Sequence, residues 1–61
     1  MRAIYAYGVY MPTIGLLTKT IAEHENAAIK RFKEFEPRLS WTEAVDSGYK
    51  MKKLVIVELR E

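Results

Sequence analysis

Sixty-one residues with no cysteine and one histidine read as a single domain, 1–61, with neither a disulfide nor a zinc site to reinforce it. A chain of this size buries only roughly 60% of its unfolded surface, so self-association or a partner is the expected extra stabiliser. Ten basic and eight acidic residues leave a net charge of +2, too little to mark a nucleic-acid binder by itself. No apolar run approaches the ~20 residues that span a bilayer.

The first element is a strand over Arg2–Met11, "AIYAYGVYM" at its centre. Strand side chains alternate, so Tyr5, Tyr7, Val9 and Met11 share one face and Ile4, Ala6, Gly8 and Tyr10 the other. Both sets are apolar or aromatic, unlike a half-solvated strand. "MPTIG" turns the chain, with Pro12 fixing φ and Gly15 tolerating positive φ. A second strand follows over Leu16–Ala22, where Thr18, Thr20 and Ile21 are β-branched. The two strands form a hairpin.

"EHENAAIKRFKEFEP" predicts a helix with Ala28, Ile29, Phe32 and Phe35 as its apolar stripe. Glu23 and Glu25 suit its N-terminus, and Pro37 ends it. "SWTEAVDSG" predicts a short helix over Trp41–Ser47: Ser40 and Glu43 have capping-box spacing, and Gly48 fits the position after the C-cap. A last strand runs over Lys50–Arg60. Leu54 and Ile56 alternate there with Val55, Val57 and Leu59, apolar on both faces again.

The order β-β-α-α-β closes most simply as an α+β two-layer sandwich. Its three-stranded antiparallel sheet has the order 2-1-3, with both helices on one face. Small Ala6 and Gly8 place the helices on their side, under Phe32 and Phe35. The face of Tyr5, Tyr7, Val9 and Met11 is then left for solvent, since tyrosines tolerate half-exposure, or for a second interface such as a weak homodimer.

No catalytic constellation is legible, and a non-enzyme is expected. His24 beside Glu23 and Glu25 has general-base chemistry, but no nucleophile accompanies it and Ser40 is accounted for as a cap. No cofactor or metal is implied. Lys30, Arg31, Lys33 and Arg38 surround the long helix, and Lys50, Lys52 and Lys53 precede the last strand. Together they are either one RNA-binding patch or a solvated face with charged edge protection. Trp41 is either a wedge docking the short helix or an anchor for another protein.

"LLTKTI" in the second strand and "KKLVIVELRE" in the last, with the length and element order, resemble the Dmd family of small antitoxins from T-even-type bacteriophages. "KRFKEFEPRLSW" departs most from that pattern. The resemblance implies a non-enzymatic inhibitor of bacterial RNase toxins of the RnlA and LsoA kind, acting in the cytoplasm of the infected host. Such an inhibitor occludes the toxin's cleft so that phage messages survive. It places the partner-binding residues at Lys30 and Arg31 and at Ser40 and Trp41, with Arg38 between. A small RNA-binding protein and a homo-oligomeric module are the alternatives, and no membrane role is expected.

Overall fold

The computed structural model describes residues 3–57. β1 (Ala3–Met11), β2 (Gly15–Ala22), α1 (Glu25–Phe35), α2 (Trp41–Asp46) and β3 (Lys50–Val57) follow in that order. They make an α+β fold whose three-stranded sheet has the order β2-β1-β3, with both strand pairs antiparallel. The expected strand positions at Arg2 and beyond Val57, including Leu59 and Arg60, lie outside the described residues. Among the described residues no helix is long and apolar enough to cross a membrane.

The hairpin turn is tight. Ile14 N–H donates to the Met11 carbonyl at 2.9 Å, and Gly15 has φ +98°, the left-handed conformation that a glycine adopts without steric penalty. β1 and β2 then pair in regular register, Met11 with Gly15, Tyr10 with Leu16, Val9 with Leu17. Continued unbroken, that register would bring Ala22 opposite Ile4. Ala22 instead stands opposite Tyr7, so β2 spends three additional residues between Leu17 and Ala22. Buried Thr20 fills the gap: the Val9 N–H donates to its hydroxyl at 2.8 Å, and that hydroxyl donates to the Leu17 carbonyl at 2.6 Å. The side chain thus satisfies two backbone groups that the broken ladder would orphan.

α1 begins after His24, an extended N-cap residue whose side chain makes no capping bond. It stops one residue before Glu36, and the Pro37-Arg38 turn closes with the Leu39 N–H donating to the Glu36 carbonyl. α2 has the capping box that its sequence predicts: the Glu43 N–H donates to Ser40 Oγ, and the Ser40 N–H donates to a Glu43 carboxylate oxygen. At its other end Gly48 takes φ +110°. The Gly48 N–H donates to the Val45 carbonyl and the Tyr49 N–H to the Ala44 carbonyl, which is a Schellman closure. Closing the helix this way carries Tyr49 back toward the core.

The core corrects the expected facing of the sheet. Val9, Leu17, Phe32 and Ala44 form the buried cluster, with Leu39, Trp41, Tyr49 and Met51 packed on it. Val9 is opposite Leu17 on one side and Met51 on the other, so the helices cover the face of Tyr5, Tyr7, Val9 and Met11. They do not cover the face of Ala6 and Gly8. The small residues there make room for neighbours within the sheet: a Cβ on Gly8 would lie 3.0 Å from Leu16 Cδ1, 3.2 Å from Leu54 Cδ1 and 3.3 Å from Ile21 Cγ1. Those three side chains close over the central strand in place of a second layer. Phe35 does not join the core either; it is 47% exposed, while Phe32 and Ala28 carry the buried stripe.

Two stability tests follow from these contacts. Replacing Thr20 with near-isosteric Val strips the Val9 N–H of its acceptor in a buried site, and the expected loss is about 1–3 kcal/mol in urea unfolding. Ser40→Ala removes the α2 cap at an expected loss of about 1 kcal/mol. A Thr20→Val variant as stable as the parent would show that the broken ladder is held by something other than this hydroxyl.

Candidate functional site

The three-residue excursion of β2 ends its pairing at Tyr7. β1 and β3 continue beyond that point as a two-stranded ribbon, Ala3 with Val57, Ile4 with Ile56, Tyr5 with Val55 and Ala6 with Leu54. The helices do not reach over this ribbon. Ile4 and Ile56 on one face, and Tyr5, Val55 and Val57 on the other, are all 44–58% exposed. An isolated two-stranded ribbon is marginal in water, and this one is apolar on both faces. Lys53 shields Tyr5 partly, with its Nζ 4.8 Å from the ring centroid.

On the side that β2 vacates, the ribbon borders a recess of about 480 Å³. Ile4, Ala6 and Ile56 line it from the sheet, and Ala27 and Arg31 line it from α1. Ala27 and Arg31 are four residues apart and so lie on one helix face. Glu23 and His24, in the connection between β2 and α1, also line it. This is where His24 comes to lie: an exposed residue at the edge of a recess of mixed polarity.

The residues expected at the partner site divide between two regions. Arg31 borders the recess and also a smaller depression with Lys19, Glu34 and Phe35. Arg38, Ser40 and Trp41 border neither of these depressions. Lys30 and Arg38 are exposed. The hydroxyl and N–H of Ser40 are occupied by the capping box. Trp41 packs edge-to-face on Phe32 with centroids 5.7 Å apart, and Tyr49 packs on Phe32 at a tilt with centroids 4.9 Å apart. The tryptophan is therefore a wedge between α2 and the core. Tyr5 is exposed and Tyr7 half-buried, and both lie on the helix-bearing face.

Lys50, Lys52 and Lys53 fall inside β3 rather than before it, and they do not form one patch. Lys52 stands over Tyr10 at 5.3 Å and Lys53 over Tyr5 at 4.8 Å. Tyr10 and Tyr5 are on opposite faces of β1, so strand alternation sends the two charges to opposite sides of the sheet.

Sequence reasoning missed the ribbon end as a unit. Its signal was present in the two-faced apolar patterns of both strands, which overlap at Ile4–Ala6 and Leu54–Ile56. What hid it was the register of β2, which reads as a regular strand and in unbroken pairing would reach Ile4. Comparison with protein-family models, curated proteins and solved structures returned no match to this chain.

The core role of Trp41 has a measurable consequence. Trp41→Ala is expected to cost about 2–3 kcal/mol, somewhat below the range for a fully buried tryptophan because the ring is part-exposed. Arg38→Ala, in an exposed turn, is expected to change stability by less than about 0.5 kcal/mol. A Trp41→Ala variant with unchanged melting would show that the ring is available to a partner rather than needed by α2.

Proposed function

We propose that the protein acts by binding rather than by catalysis, as an inhibitor of a bacterial mRNA-degrading RNase toxin of the RnlA or LsoA type in the cytoplasm of a phage-infected cell. The observation that carries the binding part of this reading is the ribbon end. Large apolar residues are exposed on both faces of this ribbon, and contiguous exposed apolar surface marks protein interaction sites. The toxin part rests on the resemblance of "LLTKTI" and "KKLVIVELRE" to antitoxin strands. Inhibition then works by occlusion: the narrow ribbon enters the toxin's cleft and Ile4, Val55 and Ile56 become buried against its walls.

This moves the proposed contact from the Trp41 side to the ribbon. Arg31 remains at the contact, because it borders the recess beside β1. The separation of Lys52 from Lys53 weakens the RNA-binding alternative, since counterion release requires several cations along one track. Self-association through the same ribbon is the reading that competes most directly.

Co-expression in bacteria provides the test. The wild-type chain is expected to rescue growth of cells producing such a toxin and to form a complex with it in gel filtration. Ile56→Asp buries a charge in that contact and is expected to abolish rescue, with affinity reduced at least about 30-fold, while its circular dichroism matches the wild type. Lys33→Ala, on the exposed side of α1, is expected to rescue normally. Absence of any complex, combined with either a stable dimer in light scattering or a shift of labelled RNA on a gel, would replace the toxin reading with the corresponding alternative.

A further inference from the structure

The Thr20 hydroxyl is set into a bond that a regular ladder would make without it. In an antiparallel pair, alternate residues turn both backbone groups toward the same neighbour. The Val9 N–H is directed at β2 and Val9 stands opposite Leu17, so unbroken pairing carries that N–H straight to the Leu17 carbonyl. Here the hydroxyl stands between the two, accepting from the first and donating to the second. Withdrawing it lets donor and acceptor meet directly, and the hydroxyl passes to solvent. Neither arrangement leaves these buried backbone groups unmet, and so neither carries the penalty that would forbid it.

The chain around this bond has room for the second register. Tyr7 and Tyr5 turn their backbone groups to the same side as Val9. Tyr7 has Ala22 opposite it, and among the described residues no residue of β2 stands opposite Tyr5. Drawn into regular pairing, Lys19 comes opposite Tyr7, Ile21 opposite Tyr5 and Ala22 opposite Ile4. The recess is the space these residues take, and Glu23 and His24 already line it together with Ile4, Tyr5 and Ala6. Ala22 advances three positions, about 10 Å, and the start of α1 supplies the length. His24 caps α1 without a side-chain bond, whereas Asn26, two residues on, is of a preferred capping type. A helix beginning after Asn26 releases two residues to the connection and keeps buried Ala28 and Phe32.

We propose that β2 slips between these two registers and that the slip opens and closes the ribbon. The open register is the one described above. In the closed register Ile21 leaves the Gly8 side of the sheet to lie beside Tyr5, and Ile4, Tyr5 and Ala6 gain a neighbouring strand. Closing also carries exposed Lys19 onto the helix-bearing face beside half-buried Tyr7. That placement makes the closed register the minor one, at roughly 0.1–10% of molecules. A partner seated on the ribbon holds β2 open; this consequence rests on the ribbon being the contact, whereas the slip itself does not.

Paired cysteines read the register directly, because the chain has none of its own and a disulfide needs Cα atoms within about 7 Å. Tyr7→Cys with Ala22→Cys is apposed only in the open register, and Ile4→Cys with Ala22→Cys only in the closed one. Ile4→Cys with Thr18→Cys is apposed in neither and reports cross-linking through unfolding. Each double variant is placed in a glutathione redox buffer, and its intramolecular disulfide is followed by mass spectrometry. The Tyr7–Ala22 pair is expected to close fastest, and the Ile4–Ala22 pair more slowly but well ahead of the Ile4–Thr18 pair. Lys19→Val removes the charge that penalises only the closed register. It is expected to speed the Ile4–Ala22 closure at least about fivefold relative to the Ile4–Thr18 pair carrying the same change. The proposal is overturned if the Ile4–Ala22 pair closes no faster than the Ile4–Thr18 pair, if Lys19→Val leaves their ratio unchanged, or if the Tyr7–Ala22 pair fails to close. No partner enters the experiment, so its failure and the failure of the toxin-binding reading are separate results.

Discussion

The Thr20 hydroxyl decides how this small sheet is built. By accepting the Val9 N–H and donating to the Leu17 carbonyl, it lets β2 depart from regular pairing without leaving a buried donor unmet. An unmet donor in a buried site costs about 1–3 kcal/mol, a large fraction of what a domain of this size has in hand. Three residues of β2 are taken up by the detour, and three positions of β1, Ile4 to Ala6, lose the neighbour they would otherwise have. The buried bridge and the bare ribbon are two ends of one shift in register.

The same shift explains which face the helices take. An odd number of inserted residues reverses the alternation of a strand. Leu17 and Ala22 therefore lie on one face of the sheet although five positions separate them, and Leu16 and Ile21 lie on the other. With Leu17 beside Val9, that face has the bulk for Phe32 to pack against. The opposite face is covered locally by Leu16, Ile21 and Leu54 closing over Gly8. Small residues in a central strand signalled a close approach, but the approaching groups came from the flanking strands rather than from a helix. Ile4 and Ile56, beyond the reach of these side chains, remain exposed on that face.

Local signals in the sequence were read correctly where local physics decides. The capping box of Ser40 and Glu43, the glycine closing α2, Pro12 in the hairpin turn and the halt of α1 before Pro37 all depend on residues within a few positions of one another. The strand order was legible because short connections allow few closures. The facing of the sheet was not, because it depends on a buried hydroxyl eleven residues from its donor. Thr20 reads as an ordinary β-branched strand residue, and nothing adjacent to it announces a detour. The role of Trp41 was left open between wedge and anchor for the same reason: its partner Phe32 belongs to another element. Arg31 was legible as a candidate, but its neighbours Ile4, Ala6 and Ile56 come from strands distant in sequence.

The link between the Thr20 bridge and the free edge of β1 is open to one direct observation, residue-resolved hydrogen exchange of the protein alone. Val9 and Tyr5 sit in the same strand, with their N–H groups directed to the same side. If Thr20 holds the first and β2 has left the second, the Val9 amide exchanges only on global unfolding, whereas the Tyr5 amide exchanges nearly as fast as in an unstructured chain. Equal protection of the two amides would mean that the edge is already paired, and rapid exchange at Val9 would mean that the hydroxyl bridge does not hold the sheet together.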